Sequence, residues 1–217
     1  MIISHSKKFV FIHIYKTAGT SISNALLPHA RFVDKVSSYY PSKILIKTIN
    51  FLLNLEENGN KWINGVHKHA TALEIKKYLD KKIFEEYYKF AFVRHPMDWQ
   101  VSLYEYIKNT PHRDQSLAQK ITFKEFALRE IKKKSLRQID FLTENDNFII
   151  DKIYKFENIG KELEKLFNIL NISSKKSSIK HLNRSPRIKH FYEYYDKELE
   201  KAVREYYSDD FKFFGYD

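Results

Sequence analysis

The chain has 217 residues, 43% hydrophobic and 16% aromatic, which is enough apolar material for one α/β domain with a buried core. It contains no cysteine, which excludes a disulfide framework and thiolate-bound zinc and makes a reducing, cytoplasmic setting the expected one. The 38 basic and 27 acidic residues leave a net charge of +11. That balance suits a polyanionic partner, although lysines such as Lys76, Lys77, Lys161 and Lys165 fall on helix faces where a solvated surface explains them.

Phe9, Val10, Phe11, Ile12 and Ile14 form a nearly continuous apolar run, the pattern of a central parallel strand covered on both faces. Lys16, Thr17, Ala18, Gly19, Thr20 and Ser21 follow, small or hydroxylated apart from the lysine, and Ser21 is the expected cap of a helix continuing through Ile22, Ala25 and Leu26. Strand, glycine-containing turn and helix start together make an anion site: the helix N–H groups and macrodipole favour negative charge, and Lys16 adds a point charge. The order differs from a Walker A loop, whose lysine follows the last glycine. On these residues alone an ordinary strand-to-helix turn explains the stretch equally well.

Residues 28–41 read as irregular and 42–55 as helical, with a break at Asn58-Gly59. The 44–55 stretch is interrupted by Lys47, Thr48, Asn50 and Asn54, and the run at Phe9 passes straight into polar sequence, so neither a membrane anchor nor a signal peptide is expected. A short strand over 62–66 leads to His67-Lys68-His69, immediately ahead of a helix over 70–79. The second strong strand is YKFAFVR at 88–94, and Pro96 opens the next helix, continued by Trp99, Val101, Leu103, Tyr104 and Ile107. Further helices are predicted over 122–133 and 158–170, with one or two short strands over 148–156 between them. A basic loop over 172–189 and an aromatic-rich helix over 192–207 lead to the closing DDFKFFGY. Alternating strands and helices predict an α/β fold, a central parallel sheet flanked by helices with ligand at the carboxyl ends of the strands.

Arg94 ends the second strand, and Ser102 lies one helical turn after Asp98. An arginine there can grip a terminal phosphate in bidentate fashion, and a serine hydroxyl can donate to the same oxygens. The competing explanation is a plain ion pair between Arg94 and Asp98.

Four ordered segments resemble one family. KTAGTS at 16–21 resembles the 5′-phosphosulfate loop of sulfotransferases that use 3′-phosphoadenosine 5′-phosphosulfate (PAPS). FVRHPMDWQVSLY resembles their 3′-phosphate strand and helix, usually Arg-x-Pro-x-Asp-Arg-x-x-Ser, and IYKFENI at 153–159 resembles their Arg-Phe-Glu-Asn segment. The tail from HLNRS at 181–185 through DDFKFFGY resembles the carbohydrate O-sulfotransferase branch. Tyr15, His95 and Trp99 depart from the pattern, standing where proline, asparagine or aspartate, and arginine are usual.

The resemblance implies a single domain over 1–217 with a P-loop-kinase-like sulfotransferase fold. Its activity would be sulfuryl transfer from PAPS, a co-substrate, to an acceptor hydroxyl, with a saccharide the expected acceptor. It further implies that Lys16 would neutralise charge on the leaving phosphate oxygen, and that Thr17, Ala18, Gly19, Thr20 and Ser21 would hold the 5′-phosphosulfate. Arg94 and Ser102 would bind the 3′-phosphate, and Asn183, Arg184 and Ser185 would belong to a lid near the nucleotide.

Transfer to a hydroxyl needs a base for the acceptor's proton. His69 matches the family's histidine ahead of its helix and is the expected base, with His67 the alternative because residues two apart in extended chain face the same side. No metal is expected, since this His-x-His pair lacks an evident third ligand. Trp62, Trp99, Tyr104 and Arg113 are candidates for acceptor contacts by position alone. Two rival functions are an ATP-dependent P-loop kinase-like enzyme and a non-catalytic protein binding polyanions or nucleic acid. Against them stand the missing Walker A lysine and the dispersed lysines, so no nucleic-acid partner is expected.

Overall fold

In the computed structural model, which describes residues 1–30, 68–173 and 189–217, a short strand β1 (Ile2–Ser4) runs antiparallel to β2 (Phe9–Ile12). β2 then pairs in parallel with β3 (Tyr88–Val93), Phe11 opposite Phe90 and Ile12 opposite Ala91. The small antiparallel pair β4 (Thr143–Glu144) and β5 (Asn147–Phe148) precedes β6 (Lys152–Lys155), which completes a four-stranded sheet of order β1-β2-β3-β6. This is the α/β architecture expected, a mixed sheet flanked by helices. The antiparallel β1 is an addition, three residues being too short a run to announce a strand.

The described residues fall into two compact units, Met1–Phe92 with Asp140–Leu182 and Val93–Ile139 with Asn183–Asp217. In the first, the two-residue repeat of a strand puts Phe9 and Phe11 on one face beside Phe90 and Phe92. Phe11 stacks on Phe90 at 5.4 Å, and Phe92 on Tyr154 at 5.1 Å. Helix α1 (Gly19–Leu26) adds Ile22 and Leu26, one turn apart, to the same core. Burying each such side chain is worth about 1.5–3 kcal/mol, so this cluster outweighs any single polar contact in holding the sheet. Short helices α2 (Ala72–Tyr78) and α3 (Lys81–Glu86) lead into β3.

The second unit is helical, opening with α4 (Pro96–Asn109), whose proline occupies the first turn as expected. It continues with α5 (Gln115–Lys120) and α6 (Phe123–Lys132), the latter begun by a capping box between Thr122 and Glu125. Back in the first unit, α7 (Ile159–Ile169) packs Leu163, Leu166 and Phe167 into the core. The second unit ends with α8 (Lys197–Tyr206) and α9 (Ser208–Phe214).

Three expectations on element boundaries change. The helix expected over 192–207 is divided: a 3-10 turn over Phe191–Tyr194 gives way to extended chain at Tyr195, and Asp196 caps α8 by accepting from the Leu199 N–H. The closing DDFKFFGY segment is itself largely helical. α1 begins at Gly19 with Ala18 in the cap position, so Ser21 lies in the first turn and is not the cap. The irregular stretch beyond residue 30, the helix over 42–55, the strand over 62–66 and most of the basic loop over 172–189 lie outside the described residues, as do Trp62, His67, Asn183, Arg184 and Ser185. Among the described residues no helix is long and apolar enough to cross a membrane.

The turn between β2 and α1 has two non-glycine residues in the left-handed region, Lys16 at φ 63° and Ala18 at φ 61°. Gly19 is not left-handed; its requirement is space. A Cβ built on it would sit 1.6 Å from Nε2 of His13, whose ring is 3% exposed. The Gly19→Ala variant is therefore expected to lose about 2–3 kcal/mol through overpacking. Thermal unfolding should show a fall in Tm of roughly 4–12 °C for a chain of this size. An unchanged Tm would mean that the imidazole moves aside without cost.

Candidate active site

The turn after β2 uses its own polar groups to hold its shape. Thr17 is fully buried and its hydroxyl donates to the Ile14 carbonyl at 2.8 Å, so this hydroxyl braces the loop itself. Lys16 and Thr20 are partly exposed, while Gly19 and Ser21 are buried at the start of α1. The first turn of α1 contains no acidic residue, leaving the positive end of its dipole uncompensated by its own side chains. Left-handed backbone, as at Lys16 and Ala18, is a common element of anion-binding turns. An ammonium, a helix N-terminus and such a turn suit a phosphate or sulfate group.

His69 is tied to the same segment. Its Nδ1 lies 2.9 Å from the carbonyl oxygen of His13. A carbonyl only accepts, so Nδ1 carries the hydrogen and, in the neutral ring, Nε2 carries the lone pair. The ring is also held edge-to-face against His13, with centroids 4.5 Å apart, and against Tyr15 at 5.9 Å. Two residues later Thr71 starts α2 with a capping box, donating its N–H to Glu74 and accepting the Glu74 N–H on its hydroxyl. The imidazole is thus fixed in tautomer and in direction by backbone on either side.

His13 was not among the residues singled out from the sequence. Its signal was there, since a histidine inside an otherwise apolar strand run has to be accommodated by something specific. The structure shows what: its ring fills the space left by Gly19, stacks on Phe11 at 5.6 Å, and its carbonyl orients His69. Among the described residues its buried Nδ1 has no hydrogen-bond partner. Burial drives its pKa well below the ordinary 6.5, and the charges of the amino terminus, His69 and Lys68 push the same way.

In the second unit, Arg94 directly follows β3. Its Nε donates to Asp98 Oδ2 at 2.6 Å, and both residues are buried. The ion pair raised as the competing explanation therefore exists, and it engages Nε of the guanidinium. Ser102 is buried one turn beyond Asp98 on the same face of α4. Gln138, absent from the sequence candidates, receives the Arg94 N–H at 2.9 Å and donates to the Arg94 carbonyl at 2.7 Å.

Of the positions suggested for acceptor contact, Trp99 is fully buried against Tyr207, and Tyr104 is buried with its hydroxyl donating to the Ile121 carbonyl. Both serve the core of their unit. Arg113 is exposed and pairs with Asp114 at 3.3 Å. Among the described residues no group of three or more histidine or acidic side chains could hold a metal ion.

The depressed pKa of His13 has a consequence for stability. Below pH 6.5 the unfolded chain's histidine takes up a proton that the folded one refuses, so stability is complete above that pH and is lost as pH falls. The added slope should approach about 1.4 kcal/mol per pH unit, one proton's worth. Denaturant titrations between pH 7.5 and 5 on wild type and His13→Gln should differ by that slope; parallel curves would mean that His13 ionises normally.

In comparison with known proteins, the family model described as the sulfotransferase family aligns with residues 1–217. No curated protein and no solved structure matches the chain. A match of that extent, over a chain whose strand ends carry Lys16 and Arg94, means that this protein belongs to the sulfotransferase family.

Proposed function

We propose that the protein is a PAPS-dependent O-sulfotransferase with His69 as its catalytic base and a saccharide hydroxyl as acceptor. The observation that carries this reading is the hydrogen bond from His69 Nδ1 to the carbonyl of His13, three residues before Lys16. It hangs the base from the segment that forms the anion turn and directs the lone pair to Nε2. The donor's 5′-phosphosulfate would be held by Lys16, by the backbone of Thr17 and Ala18, and by the start of α1 at Gly19, Thr20 and Ser21. Its 3′-phosphate would be held by Arg94 and Ser102, with Asn183, Arg184 and Ser185 contributing to a lid. β2 and β3 are parallel neighbours whose carboxyl ends lead into Lys16 and Arg94.

In the reaction the acceptor oxygen forms a bond to sulfur as the bond from sulfur to the 5′-phosphate oxygen breaks. Nε2 of His69 takes the acceptor's proton, and Lys16 neutralises the charge that grows on the leaving phosphate oxygen. No step in this scheme calls for a metal ion. His67 is the alternative base. Family membership favours this scheme over the kinase-like and polyanion-binding alternatives. A carbohydrate acceptor rests on the DDFKFFGY tail and on the net charge of +11, which suits an anionic glycan. The family match along the whole chain supports a single domain over 1–217, and the cysteine-free composition supports a cytoplasmic location.

Replacing His69 with alanine should reduce turnover at least 100-fold, the lower end of what a positioned base contributes, while calorimetric affinity for adenosine 3′,5′-bisphosphate stays within about twofold. Near-normal turnover would assign the base elsewhere, His67 first. Arg94→Ala should weaken the 3′,5′-bisphosphate by about 2 kcal/mol or more, some thirtyfold, and leave adenosine 5′-monophosphate little changed. Equal losses for the two nucleotides, or a wild type that prefers ATP with magnesium, would overturn the donor assignment.

A further inference from the structure

The closing segment grips the turn ahead of the hairpin rather than the solvent. Asp210, fully buried in the first turn of α9, accepts the backbone N–H of Gln138 on Oδ2 at 3.0 Å and that of Ile139 on Oδ1 at 2.8 Å. Asp209 beside it accepts from Arg137 at 2.5 Å. Gln138, itself fully buried, then turns its amide onto the main chain of Arg94, accepting the N–H at 2.9 Å and donating to the carbonyl at 2.7 Å. That two-point pairing is what a neighbouring strand would offer, here supplied by one side chain at the residue where β3 ends. Gly215, left-handed at φ 61°, reverses the chain after α9 and brings the Tyr216 hydroxyl to 3.5 Å from the carbonyl of Val93, the residue before Arg94.

An amide and a carboxylate buried this completely cost desolvation that apolar side chains of the same size would avoid. What they supply is a fixed backbone at one residue. Asp98 holds the Arg94 guanidinium from one side by its Nε, and Gln138 holds the Arg94 peptide groups, so main chain and side chain of the arginine are both constrained. We propose that Gln138 and Asp210 are positioning residues for the 3′-phosphate half of the donor site: Asp210 orders the Gln138 turn, and Gln138 sets the direction in which Arg94 leaves β3. The inference rests on the reading that Arg94 binds the 3′-phosphate. It gives the DDFKFFGY tail a part in donor selection without contact with the donor.

The test is the ratio of calorimetric affinities for adenosine 3′,5′-bisphosphate and adenosine 5′-monophosphate, measured on wild type, Arg94→Ala, Gln138→Leu and Asp210→Asn. Gln138→Leu should lower that ratio by roughly tenfold or more, with affinity for the 5′-monophosphate within about twofold of wild type, and Asp210→Asn should lower it in the same direction by less. Should Gln138→Leu fail to fold, Gln138→Glu keeps the acceptor for the Arg94 N–H and removes the donor to its carbonyl, and the same fall in the ratio is expected. A purely structural role would weaken both nucleotides equally or neither, leaving the ratio unchanged, and would overturn the proposal. If Arg94→Ala loses the preference for the 3′-phosphate while the Gln138 and Asp210 variants keep it, this inference alone falls. If Arg94→Ala keeps the preference, the donor-site reading falls with it.

Discussion

The absence of a side chain at Gly19 is the constraint on which the first half of the site depends. Because no Cβ stands there, the His13 ring can lie against the start of α1, and because the ring lies there, the His13 carbonyl is held where His69 can donate to it. A bulkier residue at 19 would push the ring out of its place on Phe11, and with it the carbonyl that His69 donates to. The glycine that read from sequence as room for a ligand is first of all room for a histidine. Close approach of backbone is the common principle, but here a side chain of the protein makes the approach.

Both strand ends show the same use of buried polarity. After β2, Thr17 closes the turn on the Ile14 carbonyl, and His13 stays uncharged; beyond β3, Arg94 is held by Asp98 and Gln138, and Gln138 by Asp210. Each of these groups would be cheaper in water or replaced by an apolar residue, since unpaired burial of a polar group costs a few kcal/mol. Thr17, Gln138 and Asp210 are instead paired to backbone, which converts the desolvation cost into fixed geometry, and the Arg94 guanidinium is paired to Asp98. Ion pairs on helix surfaces are of another kind: Lys81 with Glu85 and Lys82 with Glu86 are exposed contacts at 3.8 and 3.9 Å that contribute little.

Sequence periodicity was enough to find what hydrophobic burial decides. The runs at Phe9 and Tyr88, the proline start of α4 and the capped α6 are local patterns, and their expected boundaries are within a residue or two of the observed ones. Illegible were elements without a period of their own: β1, with three residues, and α3 and α5, with six each. The division before α8 was missed because the Asp196 cap signal was overridden by the continuous aromatic pattern around it. Lys16, Arg94, Ser102 and His69 could be named because each belongs to a short motif. His13 and Gln138 could not. One acts through its carbonyl and ring, the other through an amide that meets a backbone 44 residues away, and no local pattern announces such a contact.

The three departures from the family's usual pattern are absorbed in a consistent way. Tyr15, standing where proline is usual, sets its ring edge-to-face against His69 and also against Phe141 at 5.7 Å, so it walls the His69 ring instead of stiffening the turn. His95 lies among Phe191, Phe211 and Tyr216, with ring centroids 4.8 to 5.5 Å away, and its Nε2–H donates to the Asp217 carbonyl at 3.2 Å. Trp99, where arginine is usual, is driven fully into the core against Tyr207. In each case an aromatic contact stands where the pattern would have a rigid ring or a polar group, in a chain that has 17 phenylalanines and 15 tyrosines to meet them. Without an arginine at 99, Asp98 still pairs through its Oδ2 with Arg94 one turn earlier. The Arg94 charge is therefore kept at the strand end, while the helix behind it is held by apolar burial, which needs no counterion and is not subject to charge screening.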